Sequence, residues 1–400
     1  MKPLTLVHTV LLVAIIILSA CSSQNGAFPA VCKTDAIGCA VFEPGQTLKI
    51  GIDTPLTGDK AFFGQDILQA SKIAVSDAGN FKGFAFELVT GDDDGTTESG
   101  AAIANTFVGD PQVIAIAGSL FSDATKAAMP IYEAAGVSMM SLTATNSTMT
   151  EQSSKIFNCA GITDATQGKS AAQYLYNVLK VKMIAIVYDG QAFSQGLVQV
   201  VNDQFTALGG KVVAVQAINP GESDYSAVLA DVASKKPQAL FYGGYTAEAV
   251  VIVNQMKQAG LTGVAFFGDE NTFSQEFLDR TGENGRGAYS TALTPPMSDA
   301  RTRFDSAYLA TYDQPVGKLS PYTWIAYDSV AVLIKNIESV AVASDGKLYL
   351  PRAALVIAIR ETKDYRGLSG TLTCDINGAC SDSSPVYYID KAGNWVEAPL

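Results

Sequence analysis

The sequence predicts an α/β protein of two lobes, each a mostly parallel sheet flanked by helices. Three observations predict it. Short apolar runs alternate with helix-length amphipathic stretches, in two successive series. The runs Val113-Ile114-Ala115-Ile116-Ala117 and Met183-Ile184-Ala185-Ile186-Val187-Tyr188 are unbroken, as in parallel strands covered on both faces. The chain has 400 residues, 48% of them hydrophobic, which is enough for two cores of ordinary domain size.

The first element stands apart from both lobes. Lys2 gives a positive start, residues 4–18 are apolar except for His8, and Leu18-Ser19-Ala20-Cys21 closes the run. This is the pattern of a secretory signal with a small-residue cleavage site. A cysteine at the cut resembles the lipobox of bacterial lipoproteins, which implies that Cys21 carries lipid and becomes the N-terminus. The run falls short of the roughly 18 residues that a membrane span needs. Residues 1–20 are read as the signal peptide. Residues 21–46, with much Ser, Gly, Ala and Pro and no periodicity, are read as a lipid-anchored tether.

The alternation begins near Leu48. Residues 49–53 read as a strand, and 64–78 carry apolar residues at helical spacing (Ile67, Leu68, Ile73, Ala74). A strand at 84–90, a helix at 101–108, the strand at 113–117, a helix at 124–135 and a strand at 137–142 complete the first series. The second runs helix 171–179, strand 183–188, helix 197–208 stopped by Gly209-Gly210, strand 212–217, helix 225–233, strand 239–242, helix 247–259 and strand 264–267. After Thr294-Pro295-Pro296 come helices at 300–312, 322–340 and 351–359, then short strands near 370–373 and 386–389.

Composition removes whole classes of function. With 39 acidic and 27 basic residues the formal charge is −12, and it becomes more negative once Lys2 is cleaved away. Nucleic-acid binding and adhesion to anionic lipid both need a basic footprint, so neither is expected. The one histidine, His8, lies in the signal. The mature chain is left without histidine-based triads or histidine-ligated metal, and no enzyme activity, cofactor or metal is expected. Cys374 and Cys380 flank a turn sequence, and Cys32 and Cys39 bracket another short loop. Each pair reads as a disulfide in a compartment that permits one, although other pairings are open. Cys159, beside Ile156, Phe157 and Ala160, reads as a buried free thiol.

Familiar motifs fail on inspection. Gly168-Lys169-Ser170 would end a phosphate loop, but Thr163 stands where the first glycine belongs. Asp92-Asp93-Asp94-Gly95 and Asp375-Ile376-Asn377-Gly378 suggest calcium loops and are read as solvated turns. No Gly-x-Ser-x-Gly elbow occurs.

What remains is the rule that ligands of open α/β sheets bind beyond the carboxyl ends of the strands. There the sequence places Gly118-Ser119-Leu120-Phe121-Ser122, with Ser122 as a helix N-cap beside free N–H groups that suit an anion. It also places Thr143-Ala144-Thr145-Asn146, a second set of hydroxyls and backbone donors. In the other series it places Gly268-Asp269-Glu270, an acid. An acid facing an anion site suits an α-amino acid. Phe62, Phe63, Phe193, Tyr245 and Tyr322 fall at strand ends and helix starts, where they would wall an apolar slot.

From about Leu48 to the C-terminus the chain resembles the leucine/isoleucine/valine-binding proteins of branched-chain amino acid ABC importers. The resemblance is carried by Pro55-Leu56-Thr57-Gly58 with Phe63-Gly64, by Ser122 through Ile131-Tyr132-Glu133 to Thr145, and by Ile184 to Asp189. Tyr242-Gly243-Gly244-Tyr245 with Glu248, and Tyr322-Thr323-Trp324, carry it further. It implies a type I periplasmic binding protein fold that binds and does not catalyse. It implies that Ser122 and Thr145, with the Thr143 backbone, hold the ligand's carboxylate and amino groups. Glu270 would take the ammonium, while Phe63, Phe193, Tyr245 and Tyr322 line the side-chain pocket. Known members carry tyrosine where Phe63 and Phe193 stand, and a disulfide where this chain has Gly95 and Phe121.

The resemblance also sets the boundaries: one lobe of 47–163 plus 294–384, the other of 164–293 plus 385–400, with crossings near Thr163, Thr294 and Pro385. It implies a monomer, outside the cytoplasm and anchored to a bacterial membrane in the periplasm or at the cell surface, that delivers its amino acid to an ABC permease. The rival expectations are a sensor of the same fold, or a binder of amides, urea or aromatic carboxylates.

Overall fold

The computed structural model describes residues 28–151, 154–292, 297–382 and 384–399. The signal peptide, Cys21 and Thr294 lie outside the described residues. Among those described, no helix is long and apolar enough to cross a membrane.

Two seven-stranded sheets organise the chain. The first has the order Ala379–Ser381, Phe157–Ile162, Ser138–Ser141, Val113–Gly118, Leu48–Thr54, Phe84–Asp92, Asn80–Phe81, parallel except for the last pair. The second has the order Trp395–Glu397, Val386–Ile389, Tyr289–Thr291, Ala265–Gly268, Ala239–Gly243, Met183–Tyr188, Lys211–Ala217. Its last five strands are parallel and its first two antiparallel. The protein is thus the two-lobed α/β fold that the pattern predicts.

Each central strand is buried on both faces, which explains its unbroken apolar run. In the second sheet, Ile184, Ile186 and Phe241 pack against the helix Ala192–Ala207 through Leu197, Val201 and Phe205. The alternate residues Ala185, Val187, Leu240 and Tyr242 pack on the opposite face with Leu229 and Val253. In the first sheet, Ile50 and Ile52 meet Ile67, Leu333 and Ile337 on one face, and Ile116 meets Phe107 and Met139 on the other.

The late helices return to the first lobe. Buried Asp66, in the helix Ala61–Ala78, accepts hydrogen bonds from Tyr308 (2.7 Å), Thr323 (2.9 Å) and Ser320. These fasten Asp299–Tyr312 and Thr323–Val340 to the first sheet. The chain therefore passes between the sheets three times: after Ile162, after Thr291 and after Ser381.

The structure corrects the reading of 21–46 as a tether. Residues 30–42 belong to the folded body. Ala30–Thr34 is helical, and Cys39–Phe42 pairs antiparallel with Lys347–Pro351. Cys32 and Cys39 are disulfide-bonded. The Asp35 carboxylate accepts from the N–H groups of Ile37, Gly38, Ala353 and Ala354, so it also caps the helix Arg352–Arg360. Gly136, at φ 64°, ends the helix Ser122–Ala135, and any Cβ there would meet Ile37 Cγ2 at 2.3 Å. The segment is docked, and its glycine neighbour is shaped to receive it.

A second correction concerns Asp92-Asp93-Asp94, read as a solvated turn. Asp93 is wholly buried and accepts from the Ser119 hydroxyl and from Gly95 N at 3.1 Å. Desolvation raises its pKa and that of neighbouring Asp53, with their mutual repulsion adding to the Asp53 shift. The pair props the loop that leads into Ser122. Cys374 and Cys380 form the second disulfide, and Cys159 is a buried free thiol whose pKa desolvation pushes up to about 12.

Candidate functional site

The carboxyl ends of both parallel sheets open toward one cleft, and the loops that follow the strands line it. On the first lobe, Ser141 Oγ donates to Ser119 O at 3.0 Å and accepts from Ala144 N at 3.0 Å, binding two of these loops together. The helix after the first loop starts one residue earlier than the capping pattern predicts. Phe121 occupies the cap position and Ser122 is the first helical residue. The Ser122 hydroxyl is therefore not spent on capping: its Oγ is sealed from solvent and makes no hydrogen bond. The neighbouring N–H groups of the first turn have no intrahelical acceptor.

Thr145 Oγ1 is likewise buried without a partner, while its carbonyl accepts from Asp164 N at 2.9 Å. The Thr143 hydroxyl is already given to Leu120 O at 3.1 Å, which leaves its backbone for a ligand.

Glu270 comes from the second lobe. It opens a short 3₁₀ turn whose cap, Asp269, accepts from Asn271 N at 2.9 Å and Gly244 N at 2.6 Å. The backbone is thus fixed, and the Glu270 side chain reaches both hollows of the cleft. Its Oε2 is sealed and unpartnered. Desolvation pushes its pKa up to about 7; the adjacent Gln167 amide opposes this without closing a hydrogen bond.

Asp164, at the start of the helix Asp164–Gln173, was not singled out in the sequence. Both of its oxygens are buried and unpartnered. Desolvation holds its pKa well above the ordinary range. The nearby Thr145 hydroxyl counters the shift without closing a hydrogen bond, the Glu270 charge adds to it, and Lys126 counters it. The strand-end rule finds it, since it follows the strand Phe157–Ile162.

Ser122 lines one hollow of the cleft, Thr145 the adjoining one and Glu270 both, each with bonding capacity unspent, and the buried Asp164 carboxyl lies behind Thr145. Buried polar groups are ordinarily paired, so such a concentration marks a place that a ligand completes. Among the described residues, no group of three or more His, Cys, Asp or Glu side chains could hold a metal.

The aromatic wall is continuous. Ring centroids lie 5.7 Å apart for Phe63 and Tyr322, 6.4 Å for Phe63 and Phe121, 5.7 Å for Phe121 and Tyr245, and 6.0 Å for Phe193 and Tyr245. Phe121 is the member that sequence reasoning missed. Phe62 faces an adjoining groove of about 710 Å³ with Trp324 and Phe273 rather than the hollow itself. The lobes also bond to each other here. Tyr322 donates to Asn271 Oδ1 at 2.6 Å, Ala192 N donates to Asp123 at 3.2 Å, and Asn146 Nδ2 donates to Ala192 O at 2.5 Å. The last two hold the helix start that carries Phe193.

Comparison with known proteins agrees with this architecture. The family model described as periplasmic binding protein matches residues 47–394. An amino acid binding protein of Pseudomonas aeruginosa is 32% identical over 237 residues, 58% of this chain and 63% of that protein, so the match spans under two thirds of the relative's length. A leucine-, isoleucine-, valine-, threonine- and alanine-binding protein of the same organism is 30% identical over 76% of this chain and 81% of its own length. The crystal structure of the leucine-binding protein LivK from Thermotoga maritima superposes with a TM-score of 0.78 at 27% identity, covering 88% of this chain and 98% of that one.

Proposed function

Because the chain belongs to the periplasmic binding protein family, a family of extracytoplasmic binding proteins rather than enzymes, we propose that it is the substrate-binding lipoprotein of an ABC importer. It takes an aliphatic, branched-chain amino acid between its lobes and delivers it to a membrane permease. Cys21 carries the lipid anchor. The lobes hinge where the chain crosses between them, near Thr163, Thr294 and Pro385.

One observation carries this reading. The unspent donors Ser122 and Thr145 come from one lobe, and the unspent acceptor Glu270 lies across the cleft, in a segment that belongs to the other. The carboxylate of an amino acid fits the first set and its ammonium the second. Only the closed arrangement offers both, so the ligand's differential affinity drives closure. The aromatic wall then meets an aliphatic side chain.

A thermal-shift panel tests it. A ligand at 100 times its Kd stabilises by about 2.7 kcal/mol. Leucine, isoleucine and valine are expected to raise Tm, and benzoate and urea are not. A panel in which no aliphatic amino acid protects the protein overturns the reading.

A further inference from the structure

We propose that Lys60 is a positioning residue for ligand retention: its ammonium, shared between an aromatic ring of each lobe, fastens the cavity wall in the closed arrangement and slows the escape of the ligand. This rests on the amino-acid reading above for its ligand, and on geometry alone for its mechanism.

Lys60 immediately precedes the helix Ala61–Ala78 of the first lobe. Its Nζ stands 4.2 Å from the centroid of the Phe121 ring and 5.3 Å from that of Tyr245. Both rings line the ligand hollow, and they belong to different lobes. The two rings also meet edge to face at 5.7 Å. The cation therefore sits where the lobes touch, over the wall and outside the hollow.

Its surroundings are unusual for a lysine. It is half-buried, and among the described residues its ammonium makes no ion pair or hydrogen bond, while its carbonyl accepts from Phe63 N at 3.0 Å. Burial lowers its pKa. The carboxylates of Asp189, Glu248, Asp123 and Asp93 oppose that fall, in that order. Asp189 and Glu248 are fixed in the second lobe by Ser194 (2.5 Å) and Gly221 N (2.9 Å). They draw the ammonium across the cleft without contacting it. A ring face attracts a cation more strongly as water is removed, and this half-buried position removes part of it. Opening the lobes separates Lys60 from Tyr245, Asp189 and Glu248 together, so Lys60 favours the closed form specifically.

The test uses Lys60→Met, which keeps the stem and removes the charge, and Lys60→Arg, which keeps a cation that stacks on rings. With L-isoleucine as probe, the dissociation rate constant from a stopped-flow chase is expected to rise about three- to thirty-fold in Lys60→Met. Lys60→Arg is expected to stay close to wild type, and the ligand-free Tm is expected to be unchanged in both. An unchanged rate in Lys60→Met, or an equal rise in Lys60→Arg, overturns the proposal.

Failure of the amino-acid reading shows separately, as wild-type protein that binds no amino acid. In that case the fastening is read in ligand-free protein by hydrogen exchange at the Ala192 amide, which bonds across the cleft to Asp123. Faster exchange in Lys60→Met supports the fastening, and equal exchange overturns it.

Discussion

Replacing Glu270 by Gln is expected to move stability and binding in opposite directions. A glutamate in the unfolded chain ionises near 4.5, whereas Glu270 in the folded protein ionises near 7. The folded state therefore holds the extra proton. The stability this confers is fully present below about pH 4.5 and is lost as pH rises to about 7. A displacement of this size corresponds to about 3 kcal/mol. Glutamine cannot ionise and escapes the loss.

The ligand-free variant should therefore match wild type at pH 4.5 and exceed it by about 3 kcal/mol at pH 8. For a cooperative unit of 150–250 residues that is about 6–12 °C in Tm. Asp269 and Asp164 repel the same charge, so its removal relaxes them as well. Binding behaves differently, because an ammonium buried without its anion costs about 3–5 kcal/mol, a hundredfold or more in affinity. Melting curves at the two pH values, with calorimetry for L-isoleucine at pH 8, measure both effects. A variant no more stable at pH 8, or one that binds as tightly as wild type, refutes the reasoning.

Two further expectations follow from the same geometry. Ser122→Ala removes a donor from the anion side at about 1.5–3 kcal/mol, a loss of about 10- to 100-fold in affinity. The ligand-free Tm should not change, because the Oγ makes no bond within the chain; a large fall in Tm would show a structural role instead. Replacing Cys32 and Cys39 together by Ser opens a loop with a sequence separation of 7. It should lower stability by about 2–3 kcal/mol in denaturant melts, and a neutral result would mean that the segment is held by its strand pairing alone.

The regular parts of the fold were legible because their signal is local. Val113–Gly118 and Met183–Tyr188 are apolar at nearly every position, so their burial shows in the residues themselves. The segment 30–42 was not legible for the opposite reason. Its helix has five residues and its strand four, and what orders them lies about 300 positions away at Lys347–Pro351 and at the Asp35-capped helix. Asp93 looked like a turn acid because its partner Ser119 arrives from another strand end. In the cleft, Ser122, Thr145 and Glu270 were found by topology, since each follows a parallel strand. Asp164 satisfied the same rule but was overlooked as part of a crossing. Phe121 and Lys60 acquire their roles only when a second lobe closes over them, which no local pattern records.

The docked segment 30–42 has a mechanical consequence. On a lipidated Cys21 only seven Cα steps separate the membrane anchor from Phe28, where the described chain begins. Fully extended, they reach about 25 Å. Such a mooring would be short, and the segment that follows it is docked on the half of the molecule that carries Ser122 and Thr145. Under the proposed lipidation that half would stay beside the bilayer, and opening and closing would become the swing of the Glu270-bearing half against a nearly stationary base.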